Sequence, residues 1–586
     1  MKRGDAVTAL TSQRSACQYN RMKTPILAAA WGLSFILVSG GGRPKAPPGP
    51  RVVAAPPARP APLTAQDSAL HALNRLAYGP RPGEVARVAA LGVMRWIDRQ
   101  FAPDQIDDGA LARRERDFPL LTYDRRDLAA LYLDVQRERR ERQQAGDTVA
   151  DRPLDTPRAQ EGRRLAGEFE QLAATRAVLS ERQLYEVVVD FWTNHFNVYV
   201  AKGADRFLAP DYIEHTIRPR ALGRFEELLI ATAESPAMLF YLDNWESVAP
   251  GSTPPAGPQV RVRPFLGRRP PVVPPPRDPA QQDSQRQRAL ERQPKGLNEN
   301  YARELLELHT LGVDGGYTQQ DVIEVARIFT GWGINRPQEG GDFQFHDWAH
   351  DRGEKRVLGV PFPEGRGQDE GIRLLKLLAN HPATMHHVSG ALCQRFVNDD
   401  PPDGCVDDAV AAWKRSHGDI REVLRAIVHG ADFWAATNVR AKVKTPLEFV
   451  VSAARAVAAE PDTTPRLAQV VARLGEPLYL HVAPDGYPER EAAWVNSGAL
   501  LDRMNAAVAL AAGRLPGVVV NLDAIVPATG DAERLIAAAD REILGGTMSD
   551  RTKRVIREQL GDMRDPTRAR ALAVGLTLGG PEFQKQ

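Results

Sequence analysis

The chain has 586 residues, of which 43% are hydrophobic and 26% are charged, and both values are ordinary for globular proteins. Its 76 basic and 74 acidic residues leave a net charge of +2, so the balance of charge gives no footprint of nucleic-acid binding. Only three cysteines are present and they form no CxxC-type metal motif.

The N-terminal segment has the plan of an export signal. Residues 1–21 are polar and precede a second start at Met22, and we interpret them as a mis-assigned extension. A short positive region, an apolar run from Pro25 to Val38 and small residues then predict a signal peptide at 22–41. The run is too short for a membrane anchor, so we expect a periplasmic or secreted protein. Residues 42–66 are proline-rich and are predicted to be a linker.

Two cysteines remain beyond the predicted signal. The segment between Cys393 and Cys405 ends one predicted helix and turns before the next. The two thiols can therefore approach each other, and a disulfide between them suits an exported protein.

Helical periodicity dominates from about Asp67 onward, which predicts an all-α fold in a single domain at 67–586. Thr318 and Asp321 have capping-box spacing, and Pro382 and Pro446 suit first-turn positions. The predicted helices are 67–77, 83–101, 126–146, 158–178, 181–197, 223–235, 298–311, 319–330, 369–379, 383–397, 405–416, 419–429, 446–459, 465–473, 497–513 and 531–543.

Two segments depart from this helical pattern. Residues 248–294 are rich in Pro, Gln and Arg, and we predict a disordered insertion within the domain. The segment Phe343 to Gly359 is predicted to be a small β-hairpin, in which Val357-Leu358 pairs back on Phe343 and Phe345.

The predicted helix 181–197 is apolar nearly all round and is therefore expected to be buried. Its polar residues Asp190, Asn194 and His195 need hydrogen-bond partners or a ligand. For His195 two interpretations stay open: a core histidine bonded to a backbone carbonyl, or a member of a functional site.

The predicted helix 298–311 carries an ordered polar face. Glu299 and Arg303 are one turn apart, which is also typical of a surface ion-pair ladder. Asn298 can cap the helix, whereas Glu304 lies beside the apolar stripe and has no such structural explanation. Asp243 and Asn244 end the helical run before the insertion.

Metal binding is a minority interpretation. His346-Asp347 and His350-Asp351 offer ligand types, but their spacing matches no standard metal motif, so metal and cofactor stay unknown. His386 and His387 flank the apolar stripe of their helix, and we interpret them as solvated.

Several ordered blocks resemble the bacterial domain-of-unknown-function 1800 family over about residues 69–507. They are FWTNHFNV (191–198), MLFYLDN (238–244), LNENYARELLELHTLGVDGGYTQQDVIEVARIFTGW (297–332), FHDWAHDRGEKRVLG (345–359), HPATMHHVSGALCQRFVNDDPP (381–402), FWAATNVRAKVKTPLEFVVSAARA (433–456) and GYPEREAAWVNSGALLDRMN (486–505). The resemblance implies an exported helical protein of uncharacterised activity. It also implies an association with exported sulfatase-like proteins of the unknown-function 1501 family.

Two hypotheses of function follow. In the first, the chain is a hydrolase-type or metal-assisted enzyme, with His195 or Glu304 as general base and Arg303 as an anion clamp. Glu299 completes the catalytic set, and the substrate-binding residues are Asn194, Asp243, Asn244 and Asn298. In the second, the chain is a non-catalytic accessory that binds the sulfatase-like partner or a cell-surface polymer.

Overall fold

The computed structural model describes residues 63–144, 154–253 and 296–586. All of them belong to one compact unit, Ala61–Gln586. The predicted signal peptide lies outside the described residues, as do most of the predicted linker and most of the predicted insertion.

The fold is all-α, as the periodicity predicted. The helices before residue 254 are α1 (Ala65–Arg75), α2 (Glu84–Leu91), α3 (Val93–Gln100), α4 (Gly109–Glu115), α5 (Arg125–Gln144), α6 (Pro157–Leu179), α7 (Gln183–His195), α8 (Asp205–Asp211), α9 (Phe225–Ala233) and α10 (Pro236–Tyr241). A π-helical turn, Tyr212–Ile217, continues directly from α8.

The helices after residue 296 begin with the two that lie in the segment 297–332. They are α11 (Glu299–Glu307), α12 (Gln319–Ile328), α13 (Gln368–Ala379), α14 (Pro382–Phe396), α15 (Asp403–Ser416), α16 (Ile420–His429), α17 (Pro446–Ala456), α18 (Arg466–Arg473), α19 (Ser497–Ala511), α20 (Ala532–Leu544), α21 (Asp550–Leu560), α22 (Pro566–Gly579) and α23 (Pro581–Gln584).

The local signals at the helix starts are confirmed. Thr318 and Asp321 form a reciprocal capping box at α12, and Thr445 and Glu448 form another at α17. Pro382 occupies the first turn of α14. These contacts satisfy backbone donors that the first helical turn leaves unpaired.

Two groups of elements differ from the prediction. The helix predicted at 83–101 is divided by Gly92, whose φ of 94° is not helical. The helices α4, α8, α10, α21, α22 and α23 were not predicted. In α22 the small residues Ala and Gly fill the interface with α19, so the sequence has no clear apolar period there.

The prediction of one hairpin at 343–359 is wrong. Strand β1 (Trp332–Ile334) pairs with β2 (Phe343–Phe345), and β3 (Lys355–Val357) pairs with β4 (Val360–Phe362). A third short pair joins β5 (Glu460–Pro461) to β6 (Val518–Val519). The turn at Leu358-Gly359 thus lies inside a hairpin of its own, and Phe343 pairs backward along the chain.

Within the described residues, the buried apolar side chains form one connected cluster from Ala69 to Phe583. Helix α7 contributes several residues to this cluster, and Leu184, Val188 and Trp192 are fully buried. The disulfide Cys393–Cys405 is confirmed, with a Cα–Cα distance of 6.2 Å, and it ties α14 to α15.

Candidate functional site

The polar face of α11 is satisfied by its near neighbours. Asn298 caps the helix by accepting the Tyr301 N–H at 3.0 Å. Gln319 bridges Glu299 and Arg303, because its side-chain amide donates to Glu299 at 2.9 Å and accepts from Arg303 at 2.8 Å. The helix-cap interpretation is confirmed for Asn298, and a neutral amide takes the place of the expected direct ion pair.

Asp243 and Asn244 face different surroundings. Asp243 is exposed, adopts a φ of 58° and pairs with Lys202 at 2.8 Å. Asn244 is fully buried and donates to the carbonyls of Phe329 and Trp332, each at 3.2 Å. Neighbours in sequence therefore have separate structural roles.

His195 bonds to a backbone carbonyl, which is the core-histidine interpretation of the sequence. Its Nε2 lies 3.3 Å from the His309 carbonyl, and the Nε2 of His387 lies 3.3 Å from the Leu308 carbonyl. A carbonyl only accepts, so each Nε2 carries a proton and the two imidazoles satisfy the C-terminal end of α11. The interpretation of His387 as solvated is therefore wrong. Burial, reinforced by His309 and His387, lowers the pKa of His195 to about 3.

Glu304 is half-buried, and burial, together with the nearby Glu307 charge, raises its pKa against the opposing effect of Arg303. Among the described residues no side chain forms an ion pair with it. The catalytic roles assigned to His195, Glu304, Glu299 and Arg303 stay a prediction.

Asn194 leads to a different assembly. Its Oδ1 accepts the Tyr487 N–H at 2.7 Å and its Nδ2 donates to the Tyr487 carbonyl at 2.8 Å. The side-chain amide thus pairs with the backbone as a neighbouring strand would. One turn away along the chain, Asn197 donates to the carbonyls of His481 and Ala483. Both amides hold the loop 476–495 against the end of α7.

This close approach requires a glycine. Gly486 has a φ of 70°, and a Cβ added there would lie 2.4 Å from the Asn194 carbonyl oxygen. Any larger residue would push the loop away from α7.

A narrow cleft of about 40 Å³ lies where this loop meets α7, α14 and α17. Such a volume holds a few water molecules or one small polar group. Its polar and charged lining residues are Asp190, Thr193, Asn194, Asn197, Arg395, Thr445, Glu476, Tyr479, Tyr487 and Glu489.

The buried guanidinium of Arg395 is the centre of the cleft. It lies 2.8 Å from Glu448, 3.2 Å from Glu489 and 3.4 Å from Asp190. Burial disfavours the charge of Glu448, but Arg395 and the hydrogen bonds from Gln586 and Thr445 keep its pKa below the ordinary value. Glu448 is therefore the carboxylate that neutralises Arg395.

Two other carboxyl groups are kept from ionising easily. Burial raises the pKa of Asp190 to about 7, and the nearby charges of Glu489 and Glu448 act in the same direction against Arg395. Burial raises the pKa of Glu476 to about 8, with a further contribution from Asp190. About a third of the Asp190 side chain (34%) stays exposed at the cleft, whereas Glu476 is buried and accepts the Leu447 N–H at 2.7 Å.

The nearby lysines have other partners. Lys442 forms an ion pair with Asp399 and donates to the Glu489 carbonyl at 3.0 Å. Lys444 is buried, donates to Ser452 at 2.9 Å and has its pKa lowered to about 7 by burial. The charge of Lys442 nevertheless acts with Arg395 to keep the pKa of Glu448 below its ordinary value.

The family model for proteins of unknown function, DUF1800, matches residues 71–585. The chain belongs to the DUF1800 family. The match extends through the C-terminal helices, beyond the blocks that carry the resemblance in the sequence. No curated protein and no solved structure matches the chain.

Four of the blocks that resemble DUF1800 proteins meet at the cleft. FWTNHFNV supplies Asn194 and Asn197 directly after Asp190, and HPATMHHVSGALCQRFVNDDPP supplies Arg395. The other two blocks supply Thr445, with its neighbour Glu448, and the pair Tyr487 and Glu489. Of the eight catalytic and substrate-binding residues predicted from the sequence, Asn194 alone lines this cleft.

Arg395 could have been found from its position. It lies between Leu392 and Phe396 on the apolar stripe of α14, where a charged side chain needs a buried partner. Its partners could not have been named, because they come from distant parts of the chain.

Among residues 63–144, 154–253 and 296–586, no group of three or more His, Cys, Asp or Glu is arranged to hold a metal ion. No helix in the same ranges is long and apolar enough to cross a membrane.

Proposed function

We propose that this DUF1800 protein is a hydrolase-type enzyme whose acid–base pair is Asp190 and Glu476. One observation carries the proposal: Asp190, Glu448 and Glu489 surround a single guanidinium, that of Arg395, and a fourth carboxyl group, Glu476, lines the same cleft. Four carboxylates cannot all ionise there at low cost, so some retain a proton at neutral pH. Carboxyl groups poised in this way in a cleft are typical of catalytic sites.

The two carboxyl groups suit opposite roles. Glu476, with a pKa of about 8, is mostly protonated at neutral pH and can donate its proton to a leaving group. Asp190, with a pKa of about 7, is partly ionised and open to the cleft, and it can accept a proton from an attacking water molecule. One proton enters Asp190 and one leaves Glu476, so hydrolysis balances.

The charge of the cleft indicates the class of substrate. Arg395 is engaged by three carboxylates, so little of its charge is available to an incoming anion. A phosphate or sulfate would also meet Asp190 and Glu489. We therefore infer that the bond cleaved belongs to an uncharged group, such as a glycosidic linkage or an amide, of which only the reacting atoms enter the narrow cleft.

We also propose that the enzyme acts outside the cytoplasm. The signal-like segment at 22–41 supports this, and the Cys393–Cys405 disulfide suits an oxidising compartment. N-terminal sequencing of the protein from periplasm or medium should give a start just after Gly40. An intact N-terminus on cytosolic material would contradict export.

The catalytic proposal is tested with chromogenic glycosides and amides, and with sulfate and phosphate esters as the anionic comparison set. We expect turnover of neutral substrates alone. Asp190→Asn and Glu476→Gln should each lower kcat/KM roughly a hundredfold or more, because a positioned acid or base contributes that much. Glu558→Gln, at an exposed carboxylate on α21 outside the cleft, is the matched control.

Folded Asp190→Asn and Glu476→Gln variants with unchanged turnover would disprove the roles. A second measurement does not depend on the substrate. Infrared difference spectra should show a protonated carboxyl group near neutral pH that is absent from Glu476→Gln. Fully ionised carboxyl groups at that pH, together with no turnover of any substrate, would overturn the proposal.

One observation favours a second candidate function, the binding of an exported partner. Val495, Leu500 and Leu501 at the start of α19 are exposed by 36%, 39% and 61%. Contiguous exposed apolar side chains are typical of a protein-binding surface. If an exported sulfatase-like protein binds there, Leu500→Glu with Leu501→Glu should abolish co-purification, while Val555→Glu, at an exposed site on α21, should not.

A further inference from the structure

A second and much larger cavity lies between α5, α6 and α8. Its volume is about 780 Å³, within the range of small-molecule binding sites. None of its lining residues also lines the cleft around Arg395. The two sites are separate, so ligand binding in this cavity does not depend on the acid–base chemistry proposed for the cleft.

The floor of the cavity is apolar. Leu128, Leu165, Phe169 and Phe207 line it and are each at most 9% exposed. Phe169 stacks on Tyr479, with ring centroids 4.3 Å apart, which fixes one wall. An alkyl chain that binds on this floor would be transferred from water to an apolar surface without breaking a hydrogen bond of the protein.

The rim is cationic. Arg139, Arg163 and Arg206 all line the cavity and are all exposed. Within the described part of the chain, none of them forms an ion pair. Arg163 donates to the Leu154 carbonyl at 2.7 Å and Arg206 to the Ala201 carbonyl at 3.1 Å, which leaves other guanidinium N–H groups free.

One carboxyl group belongs to the same lining. Glu170 is half-buried and, among the residues described, no side chain pairs with it; burial raises its pKa to about 7. Its charge at neutral pH is therefore partial and does not cancel three arginines. The cavity presents an apolar interior below a net positive rim.

We propose that this cavity binds an anionic amphiphile, with the alkyl chain on the apolar floor and a carboxylate or phosphate head at the arginine rim. Arginine holds such heads through two parallel hydrogen bonds. A fatty-acid anion and an anionic lipid share this chemistry. Neither a free anion nor an uncharged chain satisfies both parts of the site.

The test is calorimetric titration of the purified protein with dodecanoate below its micellar concentration. Dodecyl phosphate is the second anionic arm, dodecanol the uncharged arm, dodecyltrimethylammonium the cationic arm and acetate the arm without a chain. We expect saturable one-to-one binding of the two anionic amphiphiles only. Preference between carboxylate and phosphate heads then distinguishes a fatty acid from a phospholipid-like ligand.

Variants test each half of the site. Arg139→Gln with Arg163→Gln should weaken dodecanoate binding roughly tenfold, because each exposed charge pair contributes modestly. Arg137→Gln is the control, because Arg137 lies on α5 like Arg139 but is paired with Asp134 and does not line the cavity. We expect it to leave dodecanoate binding unchanged. Gly162→Leu should block binding, since Gly162 lines the cavity and a Cβ there meets open space. Gly390→Leu, a helical glycine on α14 whose Cβ also meets open space, is its control.

Three results would overturn the inference. The first is no saturable binding of either anionic amphiphile to the wild-type protein. The second is equal binding of dodecanol and dodecanoate, unchanged by the arginine substitutions. The third is undiminished binding in a folded Gly162→Leu variant.

Discussion

The face of α11 and the cleft around Arg395 are both rich in polar residues, but they are built at different distances along the chain. On α11, Asn298 caps its own helix and Gln319 lies 20 residues from Glu299. In the cleft, Arg395 meets Asp190 at a separation of 205 residues and Glu489 at a separation of 94. The polar face of α11 can therefore be recognised from a local sequence pattern. The cleft around Arg395 forms only when the chain folds and brings distant residues together.

Burial separates the two regions further. Glu299 is exposed and accepts a hydrogen bond from Gln319 at the surface, where such contacts contribute little to the free energy of unfolding. Arg395 is 4% exposed and its carboxylate partners are largely buried, so each charge there depends on the others. Substitutions in the two regions should accordingly differ in size.

The largest expected effect is that of Arg395→Met. Removing the guanidinium leaves Glu448 and Glu489 without their cation in a buried site, which costs about 3–5 kcal/mol in such cases. Denaturant unfolding of the wild-type protein and the variant gives this difference. Arg395→Met combined with Glu489→Gln should recover part of the loss, because one of the stranded charges is then removed.

A loss below about 1 kcal/mol for Arg395→Met would mean that solvent replaces the guanidinium. The cleft would then resemble the α11 face, and the contrast between the two regions would fail.

The next effect in size comes from the disulfide beside Arg395. Cys393→Ser with Cys405→Ser should lower the free energy of unfolding by about 3 kcal/mol, because the bond closes a short loop in the unfolded chain. Reduction of the wild-type protein should have the same effect. A reductant that shifts unfolding of the double variant equally would show that the loss does not come from this bond.

The pH dependence of stability sharpens the comparison without breaking the fold. The pKa of Glu476 is raised from 4.5 to about 8 in the folded protein, so the folded state keeps a proton that the unfolded state releases. This contribution to stability is complete below the unfolded pKa and is lost as pH rises toward the folded one. Glu476→Gln keeps a neutral side chain, so it should lose less stability than the wild-type protein between about pH 5 and about pH 9.

Glu299→Gln is the control for this measurement, since its carboxylate is exposed on α11. We expect its stability to follow the wild-type curve. A Glu476→Gln variant with the wild-type slope would show that Glu476 ionises normally.

The features that could be predicted from the sequence are those determined by residues close together in the chain. The period of apolar residues predicted most helices, the Thr318 and Asp321 spacing predicted a capping box, and the position of the cysteines predicted the disulfide. These features depend on contacts within a few turns or one short loop.

What the sequence did not predict depends on distant partners. His387 was interpreted as solvated because it flanks the apolar stripe of its helix, and the sequence does not reveal its carbonyl partner, Leu308, which lies 79 residues earlier. Phe343 was paired forward along the chain, whereas its strand meets Trp332–Ile334. Arg395 lies on an apolar stripe, which signals a buried charge but does not name Asp190, Glu448 or Glu489 as its partners.

The smallest expected effect returns to α11. Arg303 donates to the neutral amide of Gln319 near the surface. Arg303→Gln should therefore change the free energy of unfolding by no more than about 0.5 kcal/mol, as exposed helix contacts do. Turnover, if the acid–base pair is Asp190 and Glu476, should be unchanged as well. A stable Arg303→Gln variant that loses turnover would instead place the chemistry on α11, where Arg303 would act on the substrate as an anion clamp, and the cleft around Arg395 would be the structural site.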